Sequence, residues 1–110
     1  MERLPAHLEA SALLRSVEAA GGFATVLAKG ERDAGSIAIL TMRKGENPRL
    51  WERMPQLDGT RIFVHTRSQD AENKEEFFDY LSRRRARDPD LWLIELDIAD
   101  PERFIAELPR

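Results

Sequence analysis

Apolar residues recur at the start of the chain with a helical period. Ala10, Leu13, Leu14 and Val17 stand at i, i+3, i+4 and i+7. Pro5 suits a first helical turn and Gly21-Gly22 supplies a stop, so a helix over about residues 5–20 is predicted. The pattern then shortens. FATVLAKG and SIAILTMRKG are apolar and partly β-branched, and the ERDAG between them carries the Asp and Gly that turns favour, which reads as a hairpin. LWERM and RIFVHT, on either side of Pro55 and LDGT, read as a second hairpin, with GENP as the breaker before it.

The segment SQDAENKEEFFDYLSRRRAR predicts a helix starting near Ser68 or Asp70, with acids in its first turns and Phe77 and Leu81 inward. Pro89 stops it at Asp88. LWLIELDI follows as a near-continuous apolar strand, the pattern of a strand covered on both faces. Asp100-Pro101 opens a last short helix whose apolar side is Phe104, Ile105 and Leu108. The order α-ββββ-α-β-α predicts an α/β (or α+β) domain, a five-stranded mixed sheet with packed helices. Its last strand is a candidate for parallel pairing after a right-handed helical crossover. At 110 residues and 42% apolar content, one core and a single domain over residues 1–110 are expected.

Composition narrows the function classes. No apolar run approaches the roughly 18 residues that span a bilayer, and MERLPAHLEA lacks the basic-then-apolar order of a secretory signal, so no membrane association and a cytoplasmic location are expected. Without cysteine there is no disulfide framework and no thiolate metal site or nucleophile. The net charge of −3 argues against a general affinity for polyanions. Its distribution is uneven: residues 41–67 hold six Lys/Arg against three Asp/Glu, whereas residues 91–110 hold two against five.

That basic centre is the sharpest candidate for binding. Alternation in RIFVHTR puts Arg61, Phe63, His65 and Arg67 on one side of a strand, with Arg43, Lys44, Arg49 and Arg53 from neighbouring segments and Trp51 as a ring for stacking. The register decides what Phe63 meets. A two-residue Asp58-Gly59 loop would place it with Leu50, Glu52 and Met54, and a loop with an odd residue count would align it with Trp51 and Arg53. The run Arg83, Arg84, Arg85 and Arg87 has a simpler reading. It interacts favourably with the negative end of a helix dipole amid flanking acids.

Catalytic signals are sparse. There is no Gly-rich phosphate loop, G-x-S-x-G or H-E-x-x-H, and His7 and His65 lack ligand spacing. Glu95, Asp97 and Asp100 gather near the end of the last strand, where carboxylates suit Mg²⁺, but Asp100-Pro101 already reads as a helix cap, so no metal or cofactor is expected. The expectation is a non-enzymatic protein-interaction or regulatory module. Its partner-binding or anion-binding candidates are Arg43, Arg49, Trp51, Arg53, Arg61, His65 and Arg67, and Trp and Arg commonly anchor such interfaces. Nucleic-acid or nucleotide binding is the alternative, and a small metal-assisted enzyme the next.

Taken together, AGGFATVLAKGERDAGSIAIL, NPRLWERMP and DAENKEEFFDYLSRRRARDPDLWLIELDIADPERFIAEL resemble the small alphaproteobacterial family known as domain of unknown function 1491. The resemblance covers nearly the whole chain. It implies a bacterial cytoplasmic protein with a compact α/β fold, and it brings no activity and no catalytic or binding residue.

Overall fold

The computed structural model describes residues 4–70 and 72–108. Helix α1 (Ala6–Ala19) turns Ala6, Ala10, Leu13 and Val17 inward, with Leu14 packed at the margin of the same stripe. Pro5 has no side chain with which to cap it. The Ala6 and His7 N–H groups donate instead to the carbonyls of Asp33 and Arg32, at 2.9 and 2.8 Å. The far end closes on Gly21 at φ 83, where a left-handed residue favours glycine, and the Gly22 N–H returns to the Val17 carbonyl.

Strands β1 (Phe23–Ala28), β2 (Ile37–Arg43), β3 (Glu46–Pro55), β4 (Arg61–Ser68) and β5 (Trp92–Asp97) form one sheet in the order β1-β5-β2-β3-β4. β5 runs antiparallel to β1 and parallel to β2, so the sheet is mixed, as predicted. The first predicted hairpin does not form, because β5 lies between β1 and β2. Residues 29–36 pass over the start of β5, and glycine is what permits it. A Cβ at Gly30 or Gly35 would come within 1.9 or 2.4 Å of the Asp90 carbonyl oxygen. The crossing is tied down where the Glu31 N–H donates to the Asp90 carbonyl and the Trp92 indole to the Glu31 carbonyl.

A tight hairpin joins β2 to β3 instead. Lys44 and Gly45 stand at φ 52 and 75, the two positive values that a primed turn requires, and Arg43 pairs with Glu46. GENP is therefore not a breaker; it finishes the turn and begins β3. Both turn N–H groups, of Lys44 and Gly45, donate to the Asp97 carboxylate at the end of β5, at 2.8 and 3.0 Å. The second hairpin, β3 with β4, is as predicted. Its loop of residues 56–60 sets Arg53 opposite Phe63 and Trp51 opposite His65, the odd-count alternative.

Helix α2 (Lys74–Arg87) begins later than the sequence pattern suggested. Ser68 belongs to β4, and the Asn73 side chain caps the helix by accepting from the Glu76 N–H. Ala71, inside the predicted start, lies outside the described residues. Helix α3 (Pro101–Ala106) is capped by Asp100, as its Asp-Pro pair predicted. The helices divide between the faces of the sheet. α1 and α3 cover one, with Ile37, Ile39, Trp51, Trp92, Ile94 and Leu96 beneath them, while α2 sets Phe77 and Leu81 on Ala38, Leu40, Leu50, Leu91 and Leu93. Ile94 and Leu96 have no exposed surface, which explains why β5 reads as an apolar run.

Candidate functional site

The basic residues of the centre come from β2, β3 and β4, but the sheet distributes them over both faces. Alternation along β3 directs Arg49, Trp51 and Arg53 toward α1 and α3, and Leu50 and Glu52 toward α2. On β4 an irregularity in pairing intervenes. Trp51 pairs with His65 and Leu50 with Arg67, so the single basic face expected of RIFVHTR is split by a bulge near Thr66. Arg67 consequently lies on the α2 side, 3.8 Å over the Tyr80 ring and 3.9 Å from Glu76.

Acids from the helices meet three of these cations. Arg49 pairs with Glu102 of α3, Arg53 with Glu9 of α1, and Arg67 with Glu76 of α2. The Arg53–Glu9 pair is mostly shielded, and the Arg53 guanidinium also sits 4.7 Å over Phe63. Such pairing cancels much of the field that phosphate would feel. Arg43 and Arg61 remain exposed, and among the described residues neither joins an ion pair. Trp51 is 9% exposed and its indole donates to Thr41 inside the core, so it is not a ring on which a ligand stacks. His65 tilts against Trp51 at 5.4 Å, and its Nε2 lies 2.7 Å from the Ser68 hydroxyl and 3.0 Å from the Arg67 carbonyl. The bulge thus holds itself with local partners.

Three members of the arginine run are solvated near the end of α2, as their pattern suggested, and the fourth, Arg84, is not. Arg84 reaches Glu52 on β3 at 2.9 Å and Asp88 at 3.6 Å, while Arg83, Arg85 and Arg87 face solvent. The Glu52 carboxylate also accepts from Thr66, so one part-buried acid joins α2, β3 and β4. The carboxylates at the end of β5 do not converge. Asp97 is used by the Lys44-Gly45 turn and Asp100 by α3, and among the described residues no group of three or more His, Cys, Asp or Glu is placed to hold a metal ion. One further acid is shaped by its loop. The N–H groups of Ala34 and Asp33 hold the Glu31 carboxyl below its ordinary value of 4.5, since they favour the charged form.

A different surface emerges beside α2. Five strands about 4.8 Å apart span about 19 Å between their outer members, whereas one helix is about 10 Å across. Two helices share the opposite face, whereas among the described residues α2 is the one helix over this face. It is seated over β2, β3 and the start of β5, with Ala28 of β1 at its margin; Arg84 reaches Glu52 of β3, and Tyr80 meets Arg67 of β4. The β1 end is left open. Phe23 is 77% exposed there, Leu27 40% and Phe78, on the flank of α2 away from β4, 47%. Glu95 and Asp97 stand beside Thr25 and Phe23 on the neighbouring strand. The sequence did carry a signal for this surface, since Phe23, Thr25 and Leu27 alternate, but which face lacked a helix was not visible in it.

These layers define an α/β protein: a five-stranded mixed sheet with helices on both faces. The family model described as a protein of unknown function (DUF1491) matches residues 4–106, and the chain belongs to that family. Its fold is similar to the crystal structure of a DUF1491 family protein from Caulobacter crescentus CB15, at 30% identity and a TM-score of 0.79, covering 96% of this chain and 97% of that one. The NMR structure of a DUF1491 family protein from the same organism matches at 28% identity and a TM-score of 0.77, over 97% and 96% of the two chains. The solution structure of protein Atu0922 from A. tumefaciens matches at 29% and 0.76, over 99% and 98%. No curated protein matches the chain. Among the described residues no helix is long and apolar enough to cross a membrane.

Proposed function

We propose that the protein is a non-enzymatic interaction or regulatory module of the cytoplasm that docks a protein partner on the open strip beside α2. The supporting observation is the uneven cover of the sheet, which leaves Phe23 and Leu27 of β1 and Phe78 of α2 exposed. Exposed aromatic side chains cost stability nothing to retain there, and they supply the apolar anchors of an interface. Glu95 and Asp97 border the strip, so the complementary partner presents apolar side chains flanked by Lys or Arg. Nucleic-acid binding through the basic centre has less support, because Arg49, Arg53 and Arg67 already face Glu102, Glu9 and Glu76.

The test is affinity capture from a lysate of the native host, with and without nuclease, comparing the wild-type chain with Phe78→Asp. A defined protein held by the wild type after nuclease and lost by the variant, with an unchanged thermal melt, is the expected result. Capture that disappears on nuclease treatment would transfer the site to Arg43 and Arg61. Capture indifferent to Phe78→Asp would remove the strip from the interface.

A further inference from the structure

β1 is an outer strand of the sheet, and among the described residues one edge of its backbone has no neighbouring strand. Such an edge is a template for another strand, and proteins ordinarily guard it with charge or proline. β1 has neither within FATVLA; its one guard is a bulge between Val26 and Ala28. An extended chain is the protein partner that matches a row of edge N–H and C=O groups, so the occupant is a strand.

We infer that this strand is β1 of a second copy, paired antiparallel across a two-fold axis through Thr25. The pattern of the strand carries the inference. Alternation and the pairing with β5 direct Phe23 and Thr25 to the α2 side, and Ala24 and Val26 to the α1 side, where they pack on the core. An antiparallel pair places residues of the same side opposite one another, so the symmetric register has its axis on a residue rather than between two. With Thr25 opposite Thr25, Ala24 meets Val26 twice, and the exposed Phe23 of each copy comes to the bulge at Leu27 of the other. Thr–Thr and aromatic–aliphatic pairs are favourable across strands. No like charges face each other within the paired segment. The two sheets join into one of ten strands.

The dimer brings together Phe23 and Leu27 of the docking strip but is held through the backbone edge, so it is tested at Thr25 and not at Phe78. About five residues a side make a small interface, so the dimer is weak and forms between roughly 1 µM and 1 mM. Sedimentation equilibrium of the full chain tests it, with dimer expected to accumulate over that range. The chain has no native cysteine, which makes crosslinking clean. Thr25→Cys is expected to oxidise to a disulfide-linked dimer, because directly opposed residues meet disulfide spacing, whereas Leu57→Cys, on the fully exposed β3–β4 loop, is not. Thr25→Lys, which sets two cations face to face, should abolish the dimer without moving the thermal melt. A chain still monomeric at ~1 mM would overturn the inference. So would a dimer unaffected by Thr25→Lys, or Thr25→Cys crosslinking no faster than Leu57→Cys. Each of these leaves the Phe78 capture result standing, so the two readings fail separately.

Discussion

The two edges of the sheet are built in opposite ways. β4 carries Arg61, His65 and Arg67 exposed along its length, is broken by a bulge, and is clamped to its surroundings by the Arg67–Tyr80 stack and the Thr66–Glu52 hydrogen bond. β1 has no charged residue, exposes Phe23 and Leu27, and is overlooked by no part of α2 comparable to Tyr80 or Arg84. Both edges carry a bulge, but the charges along β4 make it a poor template for a further strand, whereas β1 has none along its length. The chain's cations thus mark the guarded edge. The uncharged one has the surface suited to association.

The contrast breaks most readily at Trp51, which anchors the β4 half of the core. Trp51→Ala should cost about 3–5 kcal/mol in urea unfolding, because a buried ring is lost together with its bond to Thr41. A loss below ~1 kcal/mol would place Trp51 on the surface after all. Removing Arg84 strands the shielded Glu52 carboxylate, so Arg84→Ala should cost about 1–3 kcal/mol, reduced in high salt only slightly. If high salt alone abolished the effect, the clamp would be an ordinary surface pair.

Glu31 sharpens the other half, since its loop carries the chain from β1 over β5. Its carboxyl is held below the unfolded value, so its contribution is present above pH about 4.5 and is lost as pH falls through the lower folded value. Glu31→Gln should therefore melt below the wild type at neutral pH, with the gap closing in acid. A gap that widened in acid would reverse the sign and refute the role. The smallest effect is expected at the open edge. Phe23→Ser should change stability by less than about 0.5 kcal/mol, since the ring is 77% exposed. A loss near that of Trp51→Ala would erase the difference between the edges.

Sequence reasoning reached the periodic elements and missed their order in space. Ala10, Leu13 and Val17 marked α1, and Phe77 and Leu81 marked α2, because a buried helical stripe leaves its period in the chain. ERDAG looked like a turn because Gly and Asp favour turns, yet Gly30 and Gly35 serve to let two backbones pass. The basic centre was legible as a local excess of charge. Its partners Glu9, Glu76 and Glu102 were not, since all three stand well apart from it in the chain and reach it only through packed helices.

Local chemistry alone determined the helical and extended segments, the Asp100 cap and the apolar character of β5, because each depends on residues a few positions apart. The insertion of β5 between β1 and β2, the bulge that carries Arg67 to the other face, and the corner that α2 leaves uncovered were decided only in the tertiary structure. Strand order and helix placement arise from competition among distant surfaces for one core, and no short window of sequence contains both competitors.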